Sequence, residues 1–178
     1  SSPHLSNESD SNMLTDKITC ITGASSGIGR ACAVEFAKQG SHLLLMARRK
    51  DRIDDLARQL KQDHRVKTHA VQLDVTDNAK VVKAFSSLPD EWKAIDILVN
   101  NAGLARGLAK FHEGKVEDWE EMINTNVKGL MYVTRAVLPA MVDRNSGHVI
   151  NIGSIAGHQT YAMGNVYCAS KFAVTGMS

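Results

Sequence analysis

Long hydrophobic runs are missing from the 178 residues. A membrane-spanning helix needs about 18 consecutive apolar side chains; runs such as Leu43 to Ala47 are strand-length and end in charge, so no membrane partner is expected. Charge of one sign is equally scarce. Lys plus Arg number 21 against 19 for Asp plus Glu, a net charge of +2, which creates no field that argues for nucleic acid. The three cysteines, Cys20, Cys32 and Cys168, form no CxxC pair. Their odd number suits free thiols in a reducing compartment, and a cytoplasmic location is expected. The seven histidines fall at no HxxxH-like spacing, so no metal is expected. With 43% hydrophobic and 22% charged residues, the composition fits an ordinary globular domain.

The opening SSPHLSNESDSNMLTDK is polar and lacks a basic segment followed by an apolar one. It reads as a flexible polar arm over residues 1–16 rather than a signal peptide, and the absence of an initiator Met is consistent with a processed or cut chain. From residue 17 to 178, short apolar runs alternate with amphipathic ones, the pattern of strand-helix-strand units and a parallel sheet covered on both faces. Strands are predicted at Ile18 to Thr22, His42 to Ala47, Lys67 to Leu73, Ile95 to Val99 and His148 to Ile152. Helices are predicted at Gly27 to Gln39, Arg52 to Asp63, Asp77 to Leu88 and Val116 to Arg144, the last bent or interrupted at Pro139. This long helix carries apolar side chains on more than one face, from Trp119 and Met122 to Leu138 and Met141. It would pack on the sheet and also on a second subunit, or be buried wholly within one chain. No internal repeat appears, and a single domain is expected.

The first predicted strand runs into Thr22-Gly23-Ala24-Ser25-Ser26-Gly27-Ile28-Gly29 and then a helix. A glycine-rich turn at the carboxyl end of a parallel strand is where nucleotides bind. Gly23 can turn the chain, and Gly27 and Gly29 let backbone N–H groups and the helix's positive end approach a pyrophosphate. The GxxxGxG spacing differs from GxGxxG and lacks the Lys-Ser/Thr of a P-loop; the alternative is a simple Gly-rich connection. The second strand ends in Arg48 and Arg49, with no carboxylate to bond a ribose 2'-hydroxyl. Two guanidiniums match a 2'-phosphate instead, so NADP is favoured over NAD unless the arginines merely open a solvated helix.

Ser154 follows the fifth predicted strand, and Tyr167 and Lys171 stand four apart in VYCASKF. One helical turn places both on the same face, where an ammonium favours phenolate and equips the tyrosine as an acid/base. A YxxxK pair alone is weak; with Ser154 and an upstream dinucleotide turn it forms a constellation.

Through TGASSGIG, Asn100-Asn101-Ala102-Gly103, the Asn126 of NTNVKG, Ser154 and YCASK, the chain resembles the short-chain dehydrogenase/reductase family over nearly its whole folded length. The resemblance implies an α/β Rossmann-like, doubly wound parallel sheet with helices on both faces, continued in family members by C-terminal strands and a substrate loop beyond Ser178. It also implies that Ser154 holds the substrate oxygen and Tyr167 exchanges its proton. Lys171 would bind the nicotinamide ribose and lower the tyrosine's pKa, and Asn126 would maintain a proton-relay water. Cofactor contacts fall to Gly23, Ser25, Ser26, Gly27, Ile28 and Gly29, to Arg48 and Arg49 at the 2'-phosphate, to Asp74 and Val75 near adenine, and to Asn101, Ala102 and Gly103. LPDEW, IDILVNNAGLARG and EDWEEMINTNVKGLMYVTRAVLPAMV look like the NADP-dependent serine/3-hydroxy acid dehydrogenases. That narrower likeness implies a small-molecule 3-hydroxy acid or β-hydroxy amino acid substrate and a homodimer or homotetramer. Ketone, steroid or acyl-thioester reduction, and a catalytically silent NADP-binding fragment, are the alternatives. Arg106 could attract a carboxylate or be a solvated loop cation.

Overall fold

The computed structural model describes residues 13–178. Residues 1–12 of the expected polar arm lie outside the described residues. Residues 13–16 form a turn beside Gly40, where the Asp16 N–H donates to the Gly40 carbonyl at 3.3 Å.

Five parallel strands form one sheet in the order β3-β2-β1-β4-β5. They are β1 (Ile18–Thr22), β2 (His42–Ala47), β3 (Thr68–Gln72), β4 (Ile97–Asn100) and β5 (His148–Asn151). The helices are α1 (Gly27–Lys38), α2 (Lys50–His64), α3 (Asn78–Ser86), α4 (Val116–Ile123), α5 (Leu130–Asp143) and α6 (Asn165–Gly176). Side chains of a strand alternate between faces, and β2 shows how this sequence uses that alternation. Leu43 and Leu45 join Ala33 and Ala37 of α1 and Ile53, Leu56 and Leu60 of α2 in one core. Leu44 and Met46 face the other way, into a core with Val81 of α3 and Val133, Val137 and Met141 of α5. Both faces are therefore covered by helices, as the unbroken apolar runs imply.

The expected helix from Val116 to Arg144 differs in its detail. Asn124–Gly129 winds as a π-helix between α4 and α5, a wider turn that often marks a functional site. At Pro139 the helix is not interrupted, and α5 continues to Asp143. Proline leaves the carbonyl four residues earlier without its donor; here that residue, Arg135, is exposed, as is Pro139, so water can serve it.

Candidate active site

The carboxyl ends of the strands surround a cavity of about 430 Å³. The turn after β1 supplies Gly23, Ser25, Ser26, Gly27 and Ile28 to its wall. Gly23 has φ +63°, and a Cβ there would lie 2.9 Å from Asn101 Nδ2. At Gly29, which does not line the cavity, a Cβ would collide with Asn101 Nδ2 and the Gly23 carbonyl oxygen. These contacts let the first turn of α1 sit directly against β4's loop. Ser26, the α1 N-cap, makes no side-chain capping bond, and the first turn contains no acidic residue. The orphan N–H groups at a helix start attract anions, and above Gly27 no protein atom lies within 4 Å of where a Cβ would project. A pyrophosphate fits this uncapped, open terminus.

Arg48 and Arg49 close the β2 end of the cavity. The Arg48 carbonyl accepts from Gln72 Nε2 at 2.9 Å, fixing the backbone to β3. Arg49 Nη2 donates to Ser26 Oγ at 3.2 Å and Ser25 Oγ at 3.4 Å, reaching back over the glycine turn. Among the described residues neither guanidinium is taken up in an ion pair, whereas Lys50 and Arg58 pair with Asp54 and Asp55. Unpaired donor forks beside an anion-suited turn fit a second phosphate. Asp74 and Val75 follow β3 into the same cavity; Asp74 Oδ1 accepts from the Thr76 N–H at 3.0 Å and its hydroxyl at 2.8 Å, which fixes the carboxylate.

Asn101, Ala102 and Gly103 form the wall that follows β4. Thr22 Oγ1 accepts from the N–H groups of Asn101 and Ala102 at 3.1 and 3.0 Å, while Asn101 Nδ2 donates to the carbonyls of Thr22 and Gly23 at 3.1 Å. Thr22 is thus a structural hub of the site that motif reading passed over, although a threonine closing an apolar run just before the glycine turn was a visible signal.

Tyr167 and Lys171, one turn apart on α6, line the cavity together. Lys171 Nζ lies 6.0 Å from the centroid of the Tyr167 ring and donates to the Ile152 carbonyl at 3.2 Å. Lys171 is 8% exposed, and burial pushes its ammonium pKa below the usual lysine value. Ser154 does not line this cavity. It begins the 3-10 turn Ile155–Gly157, where its Oγ accepts from the Ala156 N–H at 3.2 Å and retains its own O–H for another acceptor. Asn126 sits behind the wall at 2% exposed. Both of its side-chain N–H groups are committed, to the Leu104 carbonyl at 2.8 Å and Ser170 Oγ at 3.0 Å, and its Oδ1 accepts from the Leu104 N–H at 2.8 Å.

A second cavity of about 270 Å³ shares Ala105, Arg106 and Tyr167 with the first and is walled by Leu108, Trp119, Met122, Tyr161 and Met163. Arg106 is an exposed loop cation whose Nε and Nη2 donate to the Glu121 carboxylate at 2.9 and 3.3 Å, so it is solvated, as a loop cation would be, but is not a free carboxylate receptor. The pair holds the guanidinium pKa above its usual value and the carboxyl below its own. Among the described residues no cluster of three His, Cys, Asp or Glu could hold a metal, and no helix is long and apolar enough to cross a membrane.

Known proteins resemble this chain in sequence and in fold. NADP-dependent 3-hydroxy acid dehydrogenase YdfG of Escherichia coli (strain K12) is 50% identical over 154 residues, which cover 86% of this chain and 60% of that protein. The NADP-dependent 3-hydroxy acid dehydrogenase of Schizosaccharomyces pombe is 44% identical over 162 residues, 90% of this chain and 62% of that one. The chain therefore spans about three fifths of the length of these curated relatives. Among solved structures, serine dehydrogenase from Escherichia coli superposes with a TM-score of 0.85 at 50% identity, covering 90% of this chain and 73% of that one. The closed form of serine dehydrogenase complexed with NADP+ gives 0.85 at 49%, covering 90% and 63%. The family profile described as short chain dehydrogenase matches residues 17–178, the whole span that carries the sheet, the glycine turn and the Tyr167–Lys171 pair, and the chain belongs to that family.

Proposed function

We propose that this chain is the nucleotide-binding and catalytic part of an NADP-dependent oxidoreductase that oxidises the hydroxyl-bearing carbon of a short 3-hydroxy acid or β-hydroxy amino acid. The observation that carries the reading is the shared wall: Tyr167 and Lys171 open into the cavity that also holds the glycine turn and two arginines free of ion pairs. The relatives' names, NADP-dependent 3-hydroxy acid dehydrogenase and serine dehydrogenase, support the substrate class. When bound, NADP supplies the hydride acceptor for the alcohol carbon. The pyrophosphate would meet the N-terminus of α1, and the 2'-phosphate would meet Arg48 and Arg49.

Each remaining role belongs to a side chain. Tyr167 Oη takes the proton of the alcohol, and in the reverse direction returns it to the carbonyl oxygen. Ser154 donates its free O–H to that oxygen as charge develops. Lys171, an ammonium facing the tyrosine ring, holds a ribose hydroxyl and favours negative charge nearby. Asn126 keeps the Leu104 loop against the site. A relay water at Asn126 would use the main chain or the spare lone pair of Oδ1, since its side-chain donors are occupied.

An NADPH-formation assay of the full-length protein tests the reading with serine, allo-threonine, a 3-hydroxybutyrate and a simple secondary alcohol. Turnover on the first three is expected. Turnover on the secondary alcohol alone removes the hydroxy-acid assignment in favour of the second reading, a ketone, steroid or acyl-thioester reductase. That alternative draws on the aromatic and Met-lined cavity beside Tyr167. A homodimer or homotetramer accords with the exposed Met131, Leu138 and Val142 of α5. A cytoplasmic location accords with three free cysteines.

A further inference from the structure

No step of the proposed reaction uses the hydroxyl of Ser170, the residue before Lys171, yet it is fully buried, 0% exposed, behind the cavity wall between Tyr167 and Asn126. Its Oγ donates to the Tyr167 main-chain oxygen at 2.7 Å and accepts from Asn126 Nδ2 at 3.0 Å. A helical serine satisfied by its own helix needs no further partner than a carbonyl three or four residues back. Ser170 makes that bond and spends its acceptor on a residue 44 positions away. Through Asn126 the chain continues to both main-chain groups of Leu104, at 2.8 Å each. Three segments around the cavity are thereby joined: α6, the π-helix and the loop after β4. The tolerance between them is small. A Cβ on Gly103 would stand 3.3 Å from Asn126 Oδ1 and 3.5 Å from Lys171 Nζ.

We propose that Ser170 is a positioning residue, which sets the Tyr167–Lys171 turn against the Gly103–Leu104 wall by way of the Asn126 amide. The inference rests on the oxidoreductase reading for its effect on turnover, but its geometric content stands apart from it. Removing the hydroxyl leaves a buried amide N–H without a partner, and Asn126 must shift or accept that loss. Misplacement of this kind acts on the reacting geometry more than on cofactor affinity.

The test uses the full-length protein with Ser170→Ala and Ser170→Thr and two readouts. In hydrogen exchange, the Leu104 amide should exchange about tenfold faster in Ser170→Ala, while β1 and β2 amides keep their rates and Ser170→Thr stays near the parent. In steady-state kinetics, kcat should fall about tenfold with KM for NADP within about threefold, and threonine should restore it. A uniform rise in exchange across the sheet, or a kcat that falls only with the folded fraction, would overturn the positioning role. If the parent shows no NADP-linked turnover at all, the oxidoreductase reading fails, and the exchange at Leu104 still decides whether Ser170 holds the loop.

Discussion

The two ends of the cavity differ in how deeply the strands beneath them are buried. The cofactor end hangs on β1 and β2, whose residues are almost all buried and whose neighbours are Leu, Ile, Ala and Met side chains from two helix layers. The reacting end hangs on β5 and α6, where every β5 residue is half-buried or exposed and Phe172 is itself exposed. Polar links compensate there: Asn126, Ser170, Lys171 and Thr175 bond to main-chain carbonyls. Apolar packing is non-directional and tolerates small adjustments, whereas hydrogen bonds fix angles. Within the described residues β1 and β2 are inner strands and β5 is the sheet edge, so packing weighs more on one side of the cavity and directional bonds on the other.

The largest effect that would sharpen this contrast is on stability. Leu44→Ala should cost about 2–5 kcal/mol in denaturant unfolding, and Val149→Ala, half-buried in β5, about 1 kcal/mol. Equal losses would break the distinction between the two ends. Next, Tyr167→Phe should lower kcat at least about a hundredfold with NADPH affinity, followed by fluorescence, nearly unchanged. At the opposite end, Arg49→Ala should reduce the preference for NADP over NAD about tenfold, read as a ratio of kcat/KM values; an unchanged ratio removes Arg49 from the phosphate.

The smallest effect concerns pH. Burial lowers the Lys171 pKa in the folded state below the usual lysine value of 10.5. Between the two values the unfolded chain binds more protons, so this group makes stability rise as pH climbs toward 10.5, and its full cost persists below that window. Lys171→Met should therefore flatten the rise in unfolding free energy over alkaline pH while abolishing turnover. A variant whose pH slope matches the parent would place the ammonium in water.

Legibility followed the same division. β1 and β2 occupy the residues that the apolar runs mark, because burial on both faces leaves no ambiguity. The edge of β3 and the start of β4 differ by one or two residues, where half-exposed positions such as Thr68 weaken the pattern. The glycine turn, the two arginines and the YxxxK pair were readable because their chemistry is local in sequence. What was not readable joins distant positions: the π-turn at Asn124–Gly129, Thr22 bonding across to Asn101, and Arg106 taken by Glu121. The apolar spacing runs on through NTNVKG without a break, so periodicity alone could not reveal a turn whose buried asparagine answers to Leu104.

The strand order carries a cost during synthesis. β1 takes β2 on one side early, but its other flank waits for β4, and the bond from the Ile18 N–H to Asp96 spans 78 positions. Until the ribosome has released roughly the first hundred residues, the nascent chain presents a sheet centre with an open seam of main-chain donors and acceptors. Long-range parallel pairing of this kind is slow and leaves the partly made chain open to premature association.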